Sequence, residues 1–231
     1  MLTASLVQQI ARFFPNAIFY KATPLRKIAI TIDDVGGQNT WGILKVLTEF
    51  NQTIGSLDKT VHVTFFIITD DLPDAPGLLA ELLRQGHEIG NHGCKDHRHA
   101  ALSPAVFRHE IQQAHQLLTT TVDTKVQWFR PGQVLYNRAM LQTLQALSGY
   151  QPRFALGSAF PLDTRWPTCQ PNFTLPYLKP FIFPGAILVL HGGTAQRSTN
   201  TARVLQRLLP HLQQQDYQMV TLSQLFSCHV P

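Results

Sequence analysis

Ile28-Ala29-Ile30-Thr31-Ile32-Asp33-Asp34-Val35-Gly36-Gly37 is a β-branched, apolar run that stops abruptly at two carboxylates and two glycines. A run this short, bounded by turn residues, predicts a strand buried on both faces. Two unpaired aspartates inside a core would be costly, so Asp33 and Asp34 belong where the strand leaves it. Sites in α/β folds are built at that end of a parallel strand. Taken alone, the same residues also describe an Asp-Gly-type turn. The rest of the chain decides between the two.

Upstream, Leu2, Leu6, Ile10 and Phe13/Phe14 recur at helical spacing. They predict an amphipathic helix over residues 1–16, ended near Pro15 and packed on a single domain spanning 17–231. Downstream, helices are expected at Thr40–Phe50, Pro76–Gln85, Ser103–Thr119 (serine as cap, Pro104 in the first turn), Asn137–Ser148, Thr201–Gln215 and Thr221–Phe226. Strands are expected at Val61–Ile68, His87–Gly90, Val126–Phe129, Phe154–Leu156, Ala186–Leu190 and Tyr217–Val220. Phe160 to Pro184 is Pro-rich and aromatic, a long connection of the kind that carries function. This βα alternation calls for a parallel sheet with helices outside it, open or closed into a barrel. Asp33/Asp34, His92, Arg130 and His191 each follow the C-terminal end of an expected strand, where a barrel would gather them on one face.

At 231 residues with 44% apolar side chains the chain is long enough for one large α/β domain, and a charged fraction of 14% argues against disorder. Net charge is +5, but the bases are scattered without a Lys/Arg run, so nucleic acid is not an expected partner. Cys94, Cys169 and Cys228 are odd in number and make no disulfide framework, which fits a reducing compartment. No apolar run reaches the ~18 residues of a membrane span, and the first ten residues lack a basic n-region. The expectation is a cytoplasmic protein without a transmembrane segment, a trimmed secreted protein being the alternative.

Gly90 to His99 holds His92, His97, His99 and Asp96 within a short polar stretch. With a carboxylate such as Asp34 this is ligand chemistry for a divalent ion of the zinc, cobalt or manganese type. Arg130, a permanent cation at a strand end, suits holding a carboxylate ionised and oriented. His191, closing the most apolar strand, is placed to be a partly buried general acid.

Thr31-Ile32-Asp33-Asp34, Gly86-His87-Glu88-Ile89-Gly90-Asn91-His92, Phe129-Arg130-Pro131-Gly132 and Leu188-Val189-Leu190-His191 stand in the order and spacing of the polysaccharide deacetylases. The chain resembles that family, the NodB homology domain or carbohydrate esterase family 4, over about residues 17 to 226. The resemblance implies a distorted (β/α)7 TIM-like barrel that removes acetyl groups from N- or O-acetylated carbohydrate with a bound divalent metal, zinc first. It implies Asp33 as base, Asp34 and His92 as metal ligands, Arg130 as orienter of Asp33, His191 as acid and Asp163 as the carboxylate tuning it. A backbone N–H near Gly132 or Gln133 would hold the oxyanion. Two places depart from the usual pattern. The second metal histidine is Asp96 here, with His97 or His99 as substitutes, and the third motif reads Arg-Pro-Gly-Gln where Arg-Pro-Pro and an aromatic are usual. The readings from other classes are a catalytically silent barrel that binds without turnover, and a metal hydrolase of a non-sugar amide.

Overall fold

The computed structural model describes residues 2–56, 59–159 and 162–227; Phe160 and Cys228 lie outside the described residues. In chain order the elements are α1 (Leu2–Phe13), β1 (Ala17–Ile18), β2 (Lys27–Val35), α2 (Thr40–Gln52), β3 (Thr64–Ile67), α3 (Leu78–Arg84), β4 (Glu88–Asn91) and α4 (Pro104–Thr121). α5 (Arg138–Ala146), β5 (Phe154–Ala155), α6 (Pro171–Leu178), β6 (Ile187–His191), α7 (Ala195–Gln214), β7 (Gln218–Val220) and α8 (Leu222–Ser227) follow.

β2 is the strand the fold is laid around. It pairs in parallel with β3 on one side and β6 on the other, and its first residues also pair with β7. The larger sheet runs β4-β3-β2-β6, with β7 against β2. Alternation divides the side chains of β2 between two environments. Ile28, Ile30 and Ile32 join Ile43, Leu44 and Leu47 of α2 and Val204, Leu205 and Leu208 of α7 in the main core. Ala29 faces the other way, into a cluster with Phe66, Trp128 and Ile187. Val7 of α1 is buried in the main core, so the N-terminal helix lies on the domain. α4 is capped by Ser103, whose side chain accepts from the Val106 N–H, and α5 by Asn137 accepting from Met140 N–H.

Seven strands form among the described residues, but not one continuous sheet, since β1 and β5 pair separately. The expected strand at Val126–Phe129 is reduced to a single bridge between Phe129 and Asn91. Its backbone divides its partners: Trp128 C=O accepts from Asn91 N–H, whereas Phe129 C=O accepts from Ala155 N–H. Such a segment ties β4 toward β5 but pairs too briefly with either to be a strand. α7 begins at Ala195, six residues before the expected Thr201. Thr194 caps it by accepting from Arg197 N–H, and the polar run that follows carries no apolar period from which a helix could be read. The long stretch before β6 contains α6.

Candidate active site

Asp33 and Asp34 are neighbours in a strand, and strict alternation would turn them to opposite faces. The β2–β3 register slips between Ile32 and Val35, and Asp34 adopts a left-handed backbone with φ of 54°. This bulge brings both carboxylates to one pocket, a cavity of about 380 Å³ lined also by His92, Asp96, Pro131, Gln133, His191 and Arg197.

Asp33 stands in register with His191 across the β2–β6 pair. Its Oδ1 accepts from Arg130 Nη1 at 2.5 Å, and its Oδ2 lies 4.0 Å from His191 Nε2. Arg130 is fully buried. The guanidinium also donates to Thr31 Oγ1 and to the carbonyls of Ala155 and Leu156, each at 2.7 Å, and lies over the Phe66 ring. His191 Nδ1 meets Asp163 Oδ1 at 2.7 Å, while the other oxygen of Asp163 accepts from the His191 backbone N–H. Burial opposes the His191 imidazolium, but the charge and hydrogen bond of Asp163, reinforced by Asp33 and Asp34, raise its pKa to about 9.

That shift has a measurable consequence. His191 titrates at 6.5 when unperturbed and at about 9 in the fold. Its pairing with Asp163 therefore stabilises fully below pH ~6.5 and is lost as pH rises through ~9. Asp163→Asn is expected to be less stable than the parent at pH ~6.5 by up to about 3 kcal/mol, less the share of the shift that Asp33 and Asp34 supply, with the gap closing by pH ~9.5. Chemical denaturation at the two pH values measures this; a gap that does not change with pH would reject it.

The two buried histidines beside the pocket are sorted by what their Nδ1 atoms meet. At His92, Nδ1 lies 2.8 Å from the carbonyl oxygen of Arg130, which can only accept, so this nitrogen carries the proton. Nε2 then faces Asp34 Oδ1 at 3.2 Å, a lone pair toward an acceptor unless a cation sits between them. Burial works against ionising either partner. Their mutual hydrogen bond and charge nevertheless lower the Asp34 pKa and raise that of His92. A divalent ion fits where that proton sits, and the carbonyl behind His92 is the support a ligating histidine ordinarily has. Asp96 shares the pocket wall but is exposed.

At His99 the polarity is reversed. Nδ1 accepts from the Gly132 N–H at 2.8 Å, so the proton is on Nε2, which points toward Glu110 at 3.4 Å. His97 Nε2 meets the same carboxylate at 2.9 Å. Burial opposes its ionisation, but His99, the Cys94 N–H and His97 hold Glu110 down at about 2. His97, His99 and Glu110 have ligating atoms within 4.8 Å of one another. His99 cannot offer Nε2 to a metal without giving up Gly132, however, and within the cluster it is His97 that is hydrogen-bonded to Glu110. These contacts bear on two of the expected roles. His97 and His99 turn to Glu110 rather than taking the place of Asp96. Gly132 gives its N–H to His99, whereas Gln133 lines the pocket. The same contacts account for the glycine of the third motif. A Cβ at 132 would sit 2.1 Å from His97 O, and proline would have no N–H to give.

Two residues at the site were not anticipated. Arg197 Nη1 lies 3.3 Å from Asp34 Oδ2, brought there by the first turn of α7, which starts earlier than the sequence indicates. Thr31 links Arg130 to the Leu188 carbonyl, joining β2, β6 and the arginine.

A family model described as Polysaccharide deacetylase matches residues 20–152. A peptidoglycan-N-acetylglucosamine deacetylase of Bacillus cereus is 29% identical over 201 residues, 86% of this chain and 87% of the relative. The solved structure of a peptidoglycan N-acetylglucosamine deacetylase superposes with a TM-score of 0.78 at 18% identity, covering 93% of this chain and 94% of that one. A family 4 pseudoenzyme from Bacillus anthracis superposes with a TM-score of 0.75 at 19% identity, covering 92% and 69%. At such identities the structural likeness speaks for the α/β fold alone.

Proposed function

The chain belongs to the polysaccharide deacetylase family, and from that premise we propose that it hydrolyses the N-acetyl group of an amino-sugar substrate, using a divalent ion held by Asp34, His92 and Asp96. The observation that carries this reading is the pairing of Asp33 with Arg130 on one side and His191 on the other, beside the Asp34–His92 edge. Arg130 fixes one oxygen of the Asp33 carboxylate, so the other is free to take a proton from the attacking water. The water oxygen adds to the acyl carbon, and the Gln133 backbone N–H supports the developing oxyanion. His191, its Nδ1 proton held by Asp163, gives the Nε2 proton to the departing nitrogen as the C–N bond breaks. A divalent ion, when bound, supplies Lewis acidity toward the acyl oxygen and toward water. The relatives named as peptidoglycan deacetylases support N-acetylglucosamine units as the first substrates to try.

Acetate release from N-acetylglucosamine oligomers and peptidoglycan fragments tests the reading, with protein stripped by chelator and then given zinc, cobalt or manganese. Release that requires the ion is the expected result. Folded protein that releases no acetate with any of the three would overturn it. A silent barrel is then favoured by two observations: Asp96 where the family has histidine, and the Arg197 cation already on Asp34. Among the described residues no helix is long and apolar enough to cross a membrane.

A further inference from the structure

A second cavity of about 530 Å³ adjoins the catalytic pocket, and Gln133 and Val134 line both. Its other walls are apolar: Ile10 of α1, Phe14 just past that helix, Phe19, Leu135, Leu156 and Val189 among them. Val189 lies two residues before His191 on β6, so the two side chains share a face, with the cavity next along the strand from the acid. Position 157 faces Val189 across the place where the two sheets meet. A Cβ there would come within 2.3 Å of Val189 Cγ2, so the narrow glycine lets the two segments approach without a side chain between them.

We propose that this cleft receives the hydrocarbon chain of an acyl group longer than acetyl, so that the protein is an N-acyl rather than strictly an N-acetyl amino-sugar hydrolase. The inference rests on the catalytic reading above. In that reading the acyl carbon has its oxygen toward Gln133 and its nitrogen toward His191. Its third substituent must leave by another direction, and the apolar cleft lies next to Gln133 and Val134, which line both cavities. A polar group entering there would find few hydrogen-bond partners and lose those it had in water, whereas methylenes would gain. The reaction balances as for acetyl: water adds to the acyl carbon, the C–N bond breaks, the amine keeps the proton from His191, and a longer carboxylate departs.

The test compares N-acetyl-, N-butanoyl- and N-hexanoylglucosamine with metal-loaded protein. Burial of each added methylene is worth ~0.8 kcal/mol, so kcat/KM is expected to rise about fourfold per methylene. The gain should lie in KM, because the chain is equally buried before and during reaction. Leu135→Trp, at a partly exposed position of the cleft wall, should cut the hexanoyl-to-acetyl ratio by at least about tenfold as the indole fills the space. Wild-type protein that prefers acetyl, or a ratio untouched by Leu135→Trp, overturns the inference and leaves the deacetylase reading standing. Absence of turnover on all three and on N-acetylglucosamine oligomers overturns the deacetylase reading instead. In that event N-hexanoylglucosamine binding, followed by the aromatic resonances of Phe19 and Tyr136, decides the cleft. No shift, or equal shifts with N-acetylglucosamine or with detergent micelles, overturns the inference there too.

Discussion

Asp33→Asn is expected to cut acetate release by about 10²- to 10⁴-fold while leaving the affinity for zinc unchanged. The amide keeps the shape of the carboxylate and still offers an oxygen to Arg130 Nη1, so the buried guanidinium retains a partner. What it loses is the lone pair able to take a proton on the side facing His191. Zinc titration and turnover must be measured on the same preparation, because the two proposed roles of the aspartate pair separate only there. Loss of zinc together with turnover would move Asp33 into the ligand set and leave the base unassigned. Retained turnover would remove it from the chemistry altogether.

Arg130→Met should have the largest effect on the fold. The arginine makes four hydrogen bonds, to Thr31, Asp33, Ala155 and Leu156, and is completely buried. Removing it strands the Asp33 carboxylate away from water, and breaking a buried pair in this way costs about 3–5 kcal/mol. Since domains of this kind are stable by only about 5–15 kcal/mol, the denaturant midpoint should fall by about a fifth or more. Arg130→Lys restores the charge but not the fork, and a single ammonium cannot reach β2 and the two carbonyls at the end of β5 together. It should recover part of the stability and little of the activity. A midpoint for Arg130→Met within about 1 kcal/mol of the parent would sink this account of the arginine.

The strands that build the site were legible because apolar runs ending in Asp, His or Arg are unusual, and those ends do meet at one pocket. Other features depended on single backbone events that no residue pattern announces. Periodicity places Asp33 and Asp34 on opposite faces, and only the bulge after Ile32 turns them together. His92 and His99 look interchangeable as letters, yet an Arg130 carbonyl behind one and a Gly132 N–H behind the other leave opposite nitrogens free. Six of the seven strands were legible, but not β1 or the division into two sheets, because pairing lengths of two residues fall below what periodicity resolves. Arg197 was hidden by a helix whose first turn is polar on every side.

The contact between Gly132 and the loop ending at His99 also constrains how such a chain can change over time. A proline arriving first at 132 collides with His97 O and deprives His99 of its donor, so that step is penalised twice. Rebuilding the loop first, with some other residue at 99, leaves the glycine tolerated and the proline then admissible. The two steps are thus epistatic and ordered. Asp96 lies inside that same loop, so the two departures from the usual pattern stand on one structural unit. Grafting a histidine back at 96 alone tests a ligand in a loop shaped for its absence.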